Sequence, residues 1–250
     1  MKAPLARRFS FAAIALLFVC GCGAPRSTPV ASNPPSGILP IPLSARTAGQ
    51  AAATRMVRQD GAGIPDRKRT RPLLYVTNFD PAYPEVTVYR ADALDPHPIR
   101  AISKGLFESV GDCVSPDGTL YVTNIPGNSL GWISVYPPDQ SRPSRMITNG
   151  VDIPDLCALD RQGNLWVTNY GGANVAEYKA GASQPSEIIT RGVPYPAGIA
   201  FDRSGNMYVS NDSGGSQPTC DVVVYRPGKK KPARTITDGQ ESAAGIAVDS

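Results

Sequence analysis

One pentapeptide pattern occurs four times along the chain. Leu74-Tyr75-Val76-Thr77-Asn78 recurs as Leu120-Tyr121-Val122-Thr123-Asn124, as Leu165-Trp166-Val167-Thr168-Asn169 and as Met207-Tyr208-Val209-Ser210-Asn211. The spacings between the closing asparagines are 46, 45 and 42 residues. A repeat at such a period points to an architecture built from one supersecondary unit stacked on its copies. Three further segments keep the same phase. Val86–Tyr89 returns as Ile133–Tyr136, Val175–Tyr178 and Val222–Tyr225. A short β-prone run follows each of these, at Ile99–Ser103, Ser144–Thr148, Ser186–Thr190 and Ala233–Thr237. Apolar runs closed by a turn precede three of the pentapeptides, at Cys113–Gly118, Cys157–Gly163 and Ile199–Gly205, and Ile246–Ser250 opens another.

Each unit therefore holds four short strands, a to d, rich in β-branched and aromatic residues and punctuated by Gly, Pro, Asn and Asp. The a–b turns read Ser115-Pro116-Asp117-Gly118, Asp160-Arg161-Gln162-Gly163 and Asp202-Arg203-Ser204-Gly205. In such turns Asp or Ser caps the first residue and Gly takes the left-handed conformation that closes the hairpin. One four-stranded meander cannot bury both its faces, whereas radial stacking of copies buries them all. The expected fold is all-β, a β-propeller with blades near 73–104, 111–149, 156–191 and 197–238 and the start of another at 244–250. Either Ile246–Ser250 supplies the strand a missing from the first blade and closes a four-bladed ring, or the four blades belong to a six-bladed ring, the reading we favour.

The repeats resemble the NHL-repeat family and the wider six-bladed propeller group that includes gluconolactonase-like and streptogramin-lyase-like proteins. Gly198-Ile199-Ala200-Phe201-Asp202 through Gly205-Asn206-Met207-Tyr208-Val209, with their copies, carry that resemblance. It covers 73–250. It implies the fold and says little of function, because the matching residues mostly build strands and turns.

The first 72 residues read differently. Lys2, Arg7 and Arg8 precede an apolar run, Phe9–Val19, of 11 residues. That run is too short for a bilayer core of about 30 Å and suits a secretory signal peptide. Val19-Cys20-Gly21-Cys22-Gly23 resembles a bacterial lipobox, with Val19 where Leu is usual and Cys20 where a small residue is usual. Residues 1–22 are expected to be a lipoprotein signal and Cys22 the lipidated residue. Residues 23–72, rich in Pro, Ala and Ser, are expected to be a disordered tether. The protein would then be exported and lipid-anchored in the cell envelope, on its periplasmic or outer surface.

Strand order sets what each end of the propeller carries. Loops b–c and d–a emerge on one face, with Asn78, Tyr83, Asp112, Asn124, Trp132, Asp152, Asp155, Asn169, Tyr170, Tyr195, Asn211, Asp212 and Asp221. The opposite, turn-bearing face is more basic, with Arg90, Arg142, Lys179, Arg226 and Lys229–Lys231. Tyr83, Trp132, Tyr170, Tyr195 and Asp212 are the candidate ligand-face residues. The asparagines recur in every copy, which marks them as turn formers bonded to nearby backbone. A ring of Asn and Asp oxygens is chemically suited to Ca²⁺, but no metal ligand and no catalytic residue is assigned. His97, the only histidine, lies in a c–d turn, so neither a His-rich zinc site nor a Ser-His-Asp triad can be assembled. Net charge is +4 and dispersed, which argues against nucleic acid.

Cys113, Cys157 and Cys220 fall in the repeats. Aligning Gly118 with Gly163 sets Cys113 and Cys157 one position out of phase, which predicts diverging side chains and no bridge between two buried thiols. Cys220, in a Gly/Ser stretch, is expected to be more exposed. The function expected is non-catalytic binding of a protein or glycan on the loop-rich face. The alternative is a metal-dependent hydrolase or lactonase of the gluconolactonase type.

Overall fold

The computed structural model describes residues 71–80, 82–95, 97–127, 130–212, 220–237 and 243–249. Residues 1–22, Cys22 and nearly all of 23–72 lie outside the described residues. Fifteen strands and no helix are present among those described. The first sheet holds β1 (Leu73–Asn78), β2 (Glu85–Arg90) and β3 (Arg100–Ile102). The second is β4 (Ser109–Val114), β5 (Leu120–Asn124), β6 (Trp132–Tyr136) and β7 (Arg145–Ile147). The third is β8 (Pro154–Leu159), β9 (Leu165–Asn169), β10 (Asn174–Tyr178) and β11 (Glu187–Ile189). The fourth is β12 (Pro196–Phe201), β13 (Met207–Asn211), β14 (Asp221–Tyr225) and β15 (Arg234–Ile236). Every neighbouring pair is antiparallel and consecutive in sequence, the meander of a β-propeller blade. The glycines that end the a–b turns have the left-handed φ expected of them, 93° at Gly118, 79° at Gly163 and 80° at Gly205.

The core lies between blades. Val86, Val88 and Ile102 of the first sheet pack on Leu120, Val122 and Tyr136 of the second. Ile133, Val135 and Ile147 of the second pack on Leu165, Val167 and Tyr178 of the third, and Val175 and Ile189 of the third on Val209, Val223 and Tyr225 of the fourth. Each such Val or Ile, withdrawn from water, contributes about 1.5–3 kcal/mol.

Polar staples recur at the same junctions. The strand-c tyrosines Tyr136, Tyr178 and Tyr225 donate to the carbonyls of Lys104, Asn149 and Arg191 in the preceding blade. Burial pushes the Tyr136 hydroxyl up to about 12 and raises the other two. Thr123 and Thr168 donate forward, to the carbonyls of Asp155 (2.5 Å) and Ala197 (2.7 Å). Innermost strands approach so closely that a Cβ at Gly111 would sit 2.5 Å from Leu156. A Cβ at Gly198 would sit 3.0 Å from Ile246, so the segment 243–249 lies against β12. Among the described residues β1 pairs only with β2.

Three expectations need correction. Cys113 and Cys157 form a disulfide, with Cα atoms 5.8 Å apart. Their register is one step out of phase, as read: Cys113 pairs with Tyr121, whereas Cys157 pairs with Val167, the counterpart of Val122. The inference failed because neighbouring blades stack with unlike faces together. A side chain that points forward from one blade meets one that points backward from the next, and an offset of one residue is what brings them into contact. Cys220 is 1% exposed, not surface-lying. Asp112 is not on the loop-rich face but buried between the first two blades, accepting from the Thr77 hydroxyl.

Candidate functional site: an aromatic and acidic cluster at the third and fourth blades

The d–a and b–c loops of the third and fourth blades bring four side chains together. Tyr170 follows β9 directly, and its N–H donates to the Ile153 carbonyl at 2.9 Å. Asp212 follows β13 in the same way, its N–H donating to the Tyr195 carbonyl at 2.9 Å. These equivalent bonds tie each b–c loop to the d–a loop beside it. The rings of Tyr170 and Tyr195 then lie 5.7 Å apart, tilted by 41°. Such an aromatic pair presents a contiguous apolar platform with two hydroxyls.

Two carboxyls belong to the same cluster. Asp155 projects from the second position of β8, at the bulge between Pro154 and Cys157. Loss of hydration pushes its carboxyl up to about 7, and the charge of Asp212 adds in the same direction. The Tyr170 hydroxyl is raised too, first by burial and then by the neighbouring Asp212, Tyr195 and Asp155. Tyr170, Tyr195, Asp155 and Asp212 are all half-buried, held in place yet open to a ligand. The Cys220 thiol lies 3.9 Å from Asp212 Oδ1.

Below this cluster the repeated asparagines act on backbone. Asn124 Oδ1 accepts from Phe107 N–H and the Ser109 hydroxyl, and Asn169 Oδ1 accepts from Asp152 N–H. Asn211 differs: its amide donates to the Gly192 carbonyl and Asp221, while its buried Oδ1 has no partner. The cause is in the sequence, because Pro194 stands where Phe107 and Asp152 offer an N–H, and Pro196 stands where Ser109 offers a hydroxyl.

Three of the five candidate ligand-face residues, Tyr170, Tyr195 and Asp212, thus meet at one place. Tyr83 sits on the b–c loop of the first blade, 73% exposed. Trp132 is held at the junction of the first and second blades, its indole N–H shared between Ser134 Oγ at 3.0 Å and the Gly105 carbonyl at 3.3 Å. Asp155, which strand order places on the loop-rich face, is not among the five candidates. Its copies are Val110 and Ala197, so a lone acid at an otherwise apolar repeat position was the available signal. Among the described residues no three His, Cys, Asp or Glu side chains group so as to hold a metal ion.

No family model matches the chain, and no curated protein matches it. Solved structures do. Hydrazine synthase of Kuenenia stuttgartiensis matches with a TM-score of 0.56 and 17% identity, over 67% of this chain and 46% of that one. A nidogen/laminin complex matches with a TM-score of 0.55 and 16% identity, over 69% and 62%. A functionally unknown protein of Desulfotomaculum acetoxidans matches with 0.53 and 12%, over 71% and 56%. The chain is similar in fold to these proteins and spans roughly half of their length. With the four meandering sheets, they show a β-propeller.

Proposed function

We propose that this chain is a non-catalytic binding propeller of the NHL-like group, exported and tethered to the cell envelope, that holds a protein or glycan ligand on its loop-rich face. The observation that carries this reading is the meeting of Tyr170, Tyr195, Asp155 and Asp212 at one half-buried place. Aromatic rings offer large contact area at little entropic cost, and paired acids offer acceptors to hydroxyls, amides or basic groups. The Cys113–Cys157 disulfide supports export, since such bridges persist in oxidising compartments. Cys22 is the proposed lipid anchor, and 23–72 the tether that would let the blades stand clear of the surface.

A second reading has one observation in its favour. An acid with a pKa near 7 beside a second acid, Asp155 beside Asp212, is suited to proton transfer at neutral pH, as in a lactonase or related metal-dependent hydrolase. One experiment separates the two. The intact chain is applied to an oligosaccharide array and to immobilised envelope proteins, and in parallel to a lactone and ester panel with Ca²⁺, Mn²⁺ and Zn²⁺. Binding reduced at least about tenfold, or roughly 1.4 kcal/mol, by Tyr170→Ala or Tyr195→Ala at unchanged thermal stability is the expected result. Binding indifferent to both substitutions sinks the site. Metal-dependent turnover lost in Asp155→Asn promotes the hydrolase reading instead.

A further inference from the structure

The second junction of blades carries an unmatched basic group on the opposite, turn-bearing face. The first residue of each outermost strand is charged: Arg100 in β3, Arg145 in β7, Glu187 in β11 and Arg234 in β15. At the first junction Arg100 Nη1 faces Asp139 Oδ1 of the next blade at 3.8 Å. At the third junction Glu187 faces Lys230 Nζ at 3.4 Å. At the second junction Arg145 meets no carboxylate within ion-pair distance among the described residues. Its Nη1 donates instead to the Gly181 carbonyl, and its buried Nε has no acceptor.

The reason lies in one residue. Asp139 stands three positions after Tyr136, and Gly181 stands three after Tyr178. Both have left-handed φ, 61° and 78°. Gly181 thus repeats the backbone of Asp139 and omits its carboxylate. The space that side chain would fill is open, since a Cβ built at Gly181 meets nothing within 4 Å.

A cavity of about 440 Å³ opens at this place, lined by Arg145, Arg161, Asp117, Tyr121, Pro116 and Val135 among others. Its volume falls in the range of roughly 300–1,000 Å³ usual for small-ligand sites. Among the lining residues the full charges are two guanidiniums, Arg145 and Arg161, and one carboxylate, Asp117. The Ser115 hydroxyl and Thr119 N–H hold that carboxyl below its usual range, so it stays ionised. The balance, two positive less one negative, leaves one positive charge, which suits a monoanion better than a phosphate dianion. With Nη1 engaged and Nε buried, Nη2 of Arg145 remains as the charged donor for a carboxylate oxygen. Pro116 and Val135 supply an apolar wall for a short hydrocarbon tail.

We propose that this groove between the second and third blades binds a small organic monocarboxylate, clamped by Arg145 where the neighbouring junction has the built-in carboxylate of Asp139. The test uses butyrate as probe and the intact chain. Titration calorimetry should show saturable one-to-one binding near about 1 mM, and 1-butanol or chloride at equal ionic strength should give none. Arg145→Gln should abolish it. Arg145→Lys, which keeps charge but not the branched guanidinium that holds Gly181 and reaches the ligand at once, should weaken it at least about tenfold, roughly 1.4 kcal/mol. Gly181→Asp supplies the missing acid in a backbone that Asp139 already tolerates, so it should leave the fold intact and abolish butyrate binding. No saturation up to about 50 mM, a bound too weak to matter beside the affinities of real sites, would overturn the proposal. Equal butyrate binding in a folded Gly181→Asp variant would overturn it as well.

Discussion

Asp112 and Cys157 occupy one and the same slot in successive blades. Asp112 pairs with Val122 and Cys157 with Val167, and these two valines are equivalent in the repeat. Ile199, paired with Val209, fills the slot in the fourth blade. All three side chains point back at the preceding blade. At the first junction the slot holds a buried carboxyl against Thr77. At the second it holds half of a disulfide, and at the third a plain aliphatic residue. The scaffold asks only that the slot be filled and its polar atoms answered. What fills it decides whether a junction is cross-linked, pH-sensitive or simply greasy. The turn-bearing rim varies in the same manner, with Arg100–Asp139, the unmatched Arg145, and Glu187–Lys230 at successive junctions.

Removing the cross-link should have the largest effect. Cys113 and Cys157 are 44 residues apart, and losing closure of a loop of that size costs roughly 4 kcal/mol. Cys113→Ser with Cys157→Ser should therefore lower the denaturation midpoint steeply, as should reductant on the parent chain. A variant as stable as the parent would show that the second junction does not depend on its bridge.

The carboxyl at the first junction should make stability depend on pH. Burial pushes Asp112 up to about 7, against the opposing pull of the Thr77 hydroxyl. A folded-state pKa above the unfolded one means that the folded chain binds more protons between the two values. The associated stability is full below about pH 4 and is lost as pH rises towards 7, by an amount on the order of a few kcal/mol. Asp112→Asn keeps an acceptor for Thr77 and removes the charge. Its Tm should match the parent near pH 4 and exceed it at pH 8. An equal gain at both pH values would mean that packing and not ionisation sets the difference.

The smallest change sharpens the comparison further by moving the cross-link one blade along. Ala158 is the counterpart of Cys113, and Ile199 that of Cys157. Ala158→Cys with Ile199→Cys should oxidise to a second inter-blade disulfide, seen in a non-reducing peptide map. The net gain should be about 2 kcal/mol once the lost Ile packing is set against loop closure. Failure to oxidise would show that the third junction does not share the geometry of the second.

Much of the architecture is legible in the residues themselves. The pentapeptide period places β1, β5, β9 and β13, and Gly118, Gly163 and Gly205 mark the a–b turns by their need for a positive φ. The recurrence of Asn124, Asn169 and Asn211 marks them as backbone binders, and Pro194 and Pro196 explain the one oxygen left without a donor. These features are local: a strand alternates, a turn needs its glycine, a proline lacks its N–H. Of the candidate site, Tyr170, Tyr195 and Asp212 are visible as polar and aromatic loop residues, but that they meet one another, and meet Asp155, is not. Loops 25 and 42 residues apart in sequence come together only because consecutive blades stand side by side. The Cys113–Cys157 bridge, the burial of Cys220 and Asp112, and the unmatched Arg145 belong to the same class. Each depends on which face of one blade is laid against which face of the next, and that is a relation between units, which a period along the chain records but does not orient.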